Sequence, residues 1–412
     1  MATDKILIVD VHIIYWLEFF YHHGSIITSK MDNIEKIRKD FPLLSGDQGK
    51  VPIYFDNACM SLKPNTVIEA MAEYYNKYPA CGGRSGHRLA EKVNKKCQQA
   101  RKIIAEFVGA KKESEIIFTR NTTEGINLVA NSLEFQPGDI IITSDKEHNS
   151  NLVPWQLLSK KKKIIHKVIP SQTDNTFNLQ KFEEMMSDRV KLVALGLTSN
   201  LDGVTIPAKK IIALAHKFGA MVILDAAQSA PHHKIDVIDL DVDFLAFSGH
   251  KMLGPTGTGT LYGKYALLEQ MGPFMVGGDT VEYSTYEGFE LLAPPEKFEA
   301  GLQDYAGIIS FGEAVRYLQT IGMANIADQE YLLNKFITEQ ILEMPGFKII
   351  GPADAARRSG IISFYHDKID AHQLALMLEE SAGILIRAGQ HCVHSWFNAR
   401  NIHSAARVSL YF

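Results

Sequence analysis

Between residues 51 and 225, short apolar runs alternate with segments of helical periodicity, and this alternation restricts the fold more than any other feature of the chain. Residues 52–55, 115–119, 140–143, 190–197 and 221–224 read as strands, being short, apolar and rich in β-branched side chains. Between them, 67–78 places Val67, Met71, Tyr74, Tyr75 and Tyr78 at helical spacing. A Gly-containing turn, Arg84 to Arg88, precedes a long polar helix. Residues 125–133 form a helix opened by Thr122-Thr123-Glu124, and 207–218 form one closed by Gly219. Strands alternating with helices predict an α/β fold with a mostly parallel sheet covered on both faces. After residue 305 the texture changes: helices at 308–319 and 329–343, strands at 347–351 and 360–365, a helix at 371–378 and a strand at 384–387. This predicts a large domain over 61–304 and a smaller α+β domain over 305–412, preceded by a segment over 31–60.

Residues 1–30 read differently. The run from Ile6 to Phe20 is apolar but interrupted by Asp10, His12 and Glu18. It is shorter than the roughly 20 apolar residues of a membrane span and lacks a signal peptide's basic start. Met31 opens an ordinary amphipathic segment, so either Met31 is the natural start or residues 1–30 are an atypical, loosely attached extension. With 412 residues and a net charge of −4, the chain has length for two full cores and no basic field for nucleic acid. The one basic run, Lys160 to Lys163, has no interleaved aromatics and reads as a solvated loop or helix end. The four cysteines are scattered without a CxxC pair, which suggests neither a zinc knuckle nor a disulfide framework and fits a reducing cytoplasm.

Polar residues recur at the C-terminal ends of the predicted strands, the edge where open α/β sheets bind ligands. The central stretch is Asp243 to Gly259, in which an apolar run ends in Ser248-Gly249-His250-Lys251. A lysine just past a buried strand is partly desolvated, which makes its amine a usable nucleophile towards an aldehyde. We read Lys251 as holding pyridoxal phosphate as a Schiff base. Such a site needs an acid at the pyridine nitrogen, and Asp225, ending the strand MVILD, suits it. Gln228 can donate to the ring oxygen, and His148 can lie flat on the ring. Thr123 offers a hydroxyl at a helix start, with Ser248 and His250 closing the phosphate site. Thr122 and Thr123 read equally well as ordinary helix caps. Arg387 and Arg407 are candidates for a substrate carboxylate. Cys392, after a histidine and near arginines, is a candidate thiolate nucleophile.

The stretches YFDNACMS (54–61), GRSGHRLA (83–90), FTRNTTEGINLVANS (118–132) and EHNSNLVPWQ (147–156) run collinearly with five more. These are TSNLDGVTIP (198–207), ILDAAQSAPHHKIDV (223–237), DFLAFSGHKMLGPTGTGTLYG (243–263), FEAGLQDYAGI (298–308) and RAGQHCV (387–393). Together, over roughly residues 34–412, they resemble class V, fold-type I enzymes of the SufS-like cysteine desulfurase and selenocysteine lyase family. The resemblance implies the roles given above for Lys251, His148, Asp225, Gln228, Thr123, Ser248 and His250. It further implies that Asn200 and Arg407, with Arg387 beside them, hold the substrate carboxylate and that Cys392 carries the persulfide when L-cysteine is converted to L-alanine. A sulfur-acceptor protein, such as one serving iron–sulfur cluster assembly, and a homodimer are implied as well; no metal is.

Three departures stand out. Leu302 occupies the place where the family has a threonine reaching the partner subunit's phosphate site. Cys59 and Met60 stand where alanine and threonine are common, and Cys59 reads as structural. The family continues beyond the strand that ends here at Phe412, so apolar surface is expected to be exposed on the small domain. An aminotransferase, an epimerase or a selenocysteine lyase would use the same lysine, aspartate and histidine; Cys392 favours desulfuration. A catalytically impaired homologue is the rival from another class.

Overall fold

In the computed structural model, residues 34–45, 51–83 and 85–412 are described. The expectations for residues 1–30 and for the start at Met31 lie outside them.

The short strand β1 (Ile53–Tyr54) comes first. Seven strands then build the main sheet: β2 (Ile116–Thr119), β3 (Ile140–Ser144), β4 (Ile165–Ile169), β5 (Val190–Gly196), β6 (Met221–Asp225), β7 (Phe244–Ser248) and β8 (Gly259–Gly263). Their order is β2-β8-β7-β6-β5-β3-β4. From β4 to β7 every pairing is parallel, while β8 runs antiparallel to both β7 and β2. Two reversals restore the direction, so β2 runs with β7. The C-terminal ends of six strands therefore share one edge. The inner strands are buried on both faces, which is why they read as unbroken apolar runs such as Ile140-Ile141-Ile142 and Phe244-Leu245-Ala246-Phe247. At the start of β8 a glycine is required: a Cβ on Gly259 would lie 2.6 Å from Asn121 Cα.

β9 (Val281–Ser284) and β10 (Phe289–Leu291) form an exposed hairpin. A second, antiparallel sheet comprises β11 (Phe347–Ile350), β12 (Ile361–His366), β14 (Arg387–Gly389) and β15 (Ala405–Ser409), in the order β11-β12-β15-β14. The strand expected over 384–387 is in fact broken. β13 (Ile384–Leu385) pairs in parallel with β1, and after Ile386 the chain moves to β15. β1 and β13 form a separate two-stranded sheet, and a bridge from Asp56 to Ser409 ties the N-terminal segment to the second sheet. Helix Tyr305–Ile321 begins at the expected domain boundary, yet its Phe311, Val315 and Leu318 are buried in the main core, with Phe311 edge-on to Phe247. Lys160 to Lys162 end helix Asn149–Lys162, as the helix-end reading anticipates.

At the end of the described chain Tyr411 is buried, its hydroxyl donating to Pro231 O at 2.9 Å, and Phe412 packs against Phe41. Leu342 on helix Met323–Glu343 and Leu376 on helix Ala371–Ala382 are exposed. Among the described residues no helix is long and apolar enough to cross a membrane.

Candidate active site

The shared strand edge opens into a cavity of about 250 Å³. Each residue singled out from the sequence lines it: Thr123 and His148 after β2 and β3, Asn200 after β5, Asp225 and Gln228 at β6, and Ser248, His250 and Lys251 at β7. The second sheet adds Arg387 from β14 and Arg407 from β15, and the loop after β14 adds Cys392. Residues far apart in sequence meet because the strand ends and the edge of the second sheet face the same space.

Helix Thr122–Ser132 is capped by Asn121, whose side chain accepts from Glu124 N at 3.0 Å. The cap is thus not a threonine, and both threonine hydroxyls are released for other bonds. Ser248 Oγ accepts from Thr122 N at 2.8 Å and pairs with Thr122 Oγ1 at 2.6 Å, while Thr123 Oγ1 pairs with Ser150 Oγ at 2.7 Å. This cluster of hydroxyls sits at the positive end of the helix, a setting suited to a phosphate.

Asp225 is buried at the end of β6 and accepts from Ala227 N at 2.9 Å. Burial raises its pKa, against the pull of that amide and of Lys251. Burial also lowers the pKa of Lys251, favouring the neutral amine, and the nearby Asp225 opposes this. His148 accepts at Nδ1 from Ser150 N at 3.1 Å. Burial, then the charges of Lys251 and Arg407, push its pKa down to about 3, so it is neutral at physiological pH. His250 is held neutral in the same way, at about 4.

Gln228 donates through Nε2 to Ala58 O at 2.8 Å, and its buried Oε1 has no hydrogen-bond partner among the described residues. Pyridoxal phosphate fits this donor set. Hydroxyls and a helix start lie at one end, a buried carboxylate and an incompletely bonded amide at the other, with a lysine able to take the aldehyde.

Arg407 is 3% exposed, and its Nη1 donates to Asn200 O at 3.0 Å. Asn200 Nδ2 in turn donates to His391 O at 2.7 Å, fastening the loop that carries Cys392. His391 and Cys392 both have positive φ, 48° and 59°, and Cys392 O accepts from Asn149 N at 2.8 Å. The exposed thiol is therefore presented on a sharply turned loop tied to the helix that follows His148.

Sequence reasoning missed Asp56 and Glu147. Asp56 stands between the two arginines, 3.4 Å from Arg387 and 3.5 Å from Arg407. Its place at the end of the YFD run, after β1, was the available signal. Glu147 accepts from Ser144 Oγ at 2.5 Å, Asn151 Nδ2 at 2.7 Å and Gly196 N at 2.8 Å, and burial pushes its pKa up to about 7. It precedes His148 directly and joins the ends of β3 and β5.

The Aminotransferase class-V family model matches residues 53–412. The chain belongs to that family. It is 38% identical over 387 residues to a probable cysteine desulfurase of Streptomyces coelicolor, covering 92% of each chain. The apo structure of a cysteine desulfurase from Thermococcus onnurineus superposes with a TM-score of 0.87 at 38% identity, over 92% of this chain and 93% of that one. The S-sulfonic acid form of the cysteine desulfurase CsdA from Escherichia coli gives a TM-score of 0.84 at 32% identity, with the same coverage. Both match the α/β architecture of a helix-covered mixed sheet expected of fold-type I.

Proposed function

We propose that this chain is a pyridoxal-phosphate-dependent cysteine desulfurase that converts L-cysteine to L-alanine and leaves the sulfur as a persulfide on Cys392. One observation carries the reading: a cysteine on a fastened, sharply turned loop shares a cavity with Lys251, Asp225 and His148, in a chain close to curated cysteine desulfurases over nearly its whole length.

In this reading Lys251 and His148 hold the cofactor with Asp225 and Gln228 around the ring and Thr123, Ser248 and His250 around the phosphate. When bound, pyridoxal phosphate supplies an electron sink for charge developing at the substrate's α-carbon. The protein's own groups do the rest. Arg407 and Arg387 receive the substrate carboxylate, with Asn200 bracing Arg407. Lys251, its neutral amine favoured by burial, takes the α-proton and returns it to carbon. The Cys392 thiolate attacks the substrate sulfur: an S–S bond forms, the C–S bond breaks, and protonation of carbon completes alanine. L-selenocysteine would engage the same groups.

We further assign the persulfide to a sulfur-acceptor protein, as in iron–sulfur cluster assembly, and the chain to a homodimer in the cytoplasm. Four free cysteines support a reducing compartment. Exposed Leu302, Val276 and Phe289 around the β9–β10 hairpin support a second copy. We place the division between the two domains near residue 305, with helix Tyr305–Ile321 packed on the large one.

The test is to incubate the cofactor-loaded protein with L-cysteine and to measure alanine and sulfide with and without a thiol reductant. Alanine in both, with sulfide released by the reductant, is expected. A loaded protein that forms no alanine would refute the reading.

A further inference from the structure

Cys59 lines the same cavity as Cys392. It stands where the resembled family has alanine, so no inherited role attaches to it, and the sequence reading makes it structural. Its surroundings point elsewhere. The turn that carries it is fixed on three sides. Cys59 N and Met60 N both donate to Asp56 O at 3.1 Å, and Ala58 N donates to Ser409 Oγ at 2.9 Å. Ala58 O accepts from Gln228 at 2.8 Å. The backbone of Cys59 is thereby held in place, and the residue is half-buried and free of any disulfide. Cys59, Cys392, Lys251 and Arg407 all line this one cavity. Arg407 is itself 3% exposed, with its Nε unpartnered among the described residues, a feature that suits an anion in the cavity. Two thiols on two fastened loops thus face one cavity, together with the Lys251 amine and the Arg407 guanidinium.

We propose that Cys59 is an internal sulfur acceptor, receiving the sulfane sulfur from the Cys392 persulfide and freeing Cys392 for a second turnover. The Cys59 thiolate attacks the terminal sulfur of Cys392–S–SH. A bond forms between Cys59 Sγ and that sulfur as the bond from Cys392 Sγ to it breaks, and Cys392 leaves as the thiolate. The terminal sulfur keeps its proton, the oxidation level is conserved, and neither oxidant nor reductant enters. The product is a persulfide stored on Cys59, with Cys392 free again. The inference rests on the desulfurase reading.

The test gives the loaded enzyme two equivalents of L-cysteine per subunit, without reductant or acceptor. It is quenched by alkylation, alanine is counted, and persulfides are located by peptide mass spectrometry. Close to two alanines per subunit are expected, with persulfide on both cysteines. Cys59→Ser and Cys59→Ala, each checked for retention of the cofactor chromophore, should stop near one alanine with persulfide on Cys392 alone. Cys392→Ser should label neither. One alanine per subunit in the unaltered enzyme with Cys59 unlabelled would overturn the relay, as would a Cys59–Cys392 disulfide or a labelled Cys59 in Cys392→Ser. No alanine and no persulfide anywhere would overturn the desulfurase reading itself, and the relay with it.

Discussion

Arg407 joins the candidate substrate site to the loop that carries Cys392, because its guanidinium bonds Asn200 O and Asn200 bonds His391 O. A lysine has one ammonium where the arginine has a planar fork, so it cannot serve Asn200, Asp56 and a carboxylate together. Arg407→Lys should raise KM for cysteine by roughly tenfold or more, the equivalent of one lost charged hydrogen bond of about 1.5–3 kcal/mol. An unchanged KM in steady-state kinetics would remove Arg407 from substrate binding. Lys251→Ala should abolish the covalent chromophore and lower turnover by about 10²–10⁴-fold, the range for loss of a positioned acid–base group. At this scale much was legible in the sequence. Lys251, Asp225 and His148 each close a strand-like run, and position along a strand is readable without coordinates. Asp56 was not legible, because its role depends on two arginines more than 300 residues away in the chain, brought to it by the pairing of β1 with β13.

Among the elements, the connection from β3 to helix Asn149–Lys162 is organised by Glu147. Its ordinary pKa of 4.5 is raised to about 7 by burial. Between those values the folded state holds a proton that the unfolded state has lost, so this residue makes stability fall as pH rises through the interval. The advantage of the unaltered protein over Glu147→Gln should therefore shrink from pH 5 to pH 8, as read from urea midpoints. A difference that does not vary with pH would show that Glu147 is ionised throughout. Five strands of the main sheet, β2, β3, β5, β6 and β7, were legible because burial leaves an apolar run; β8 was not, because Gly259 and Gly263 bracket only three residues. β4 was not recognised: it is an edge strand carrying His166 and Lys167, partly exposed, and its sequence lacks that run. The β9–β10 hairpin escaped for the same reason, being almost wholly exposed. The expected single strand at 384–387 failed because periodicity cannot register a change of partner from β1 to β15.

For the whole molecule, the account requires a second copy over the face bearing the hairpin. Leu302 is 71% exposed there and, unlike threonine, carries no hydroxyl. Leu302→Thr should tighten pyridoxal phosphate roughly tenfold, consistent with one charged hydrogen bond of about 1.5 kcal/mol. Phe289→Asp should shift the sedimenting species from dimer towards monomer. No change in cofactor affinity in the first variant would separate residue 302 from the phosphate site, and a monomeric unaltered protein would remove the dimer.

The central claim is that Cys392 takes sulfur from cysteine in a cavity where Lys251 handles the proton. It is tested most directly by alanine release in a single turnover, comparing the unaltered enzyme with Cys392→Ala, both loaded with cofactor. The account predicts that Cys392→Ala keeps the chromophore and fails to release alanine, while the unaltered enzyme releases it and gains one sulfur atom, on Cys392 or passed on to Cys59. Equal alanine release by the two proteins would contradict it.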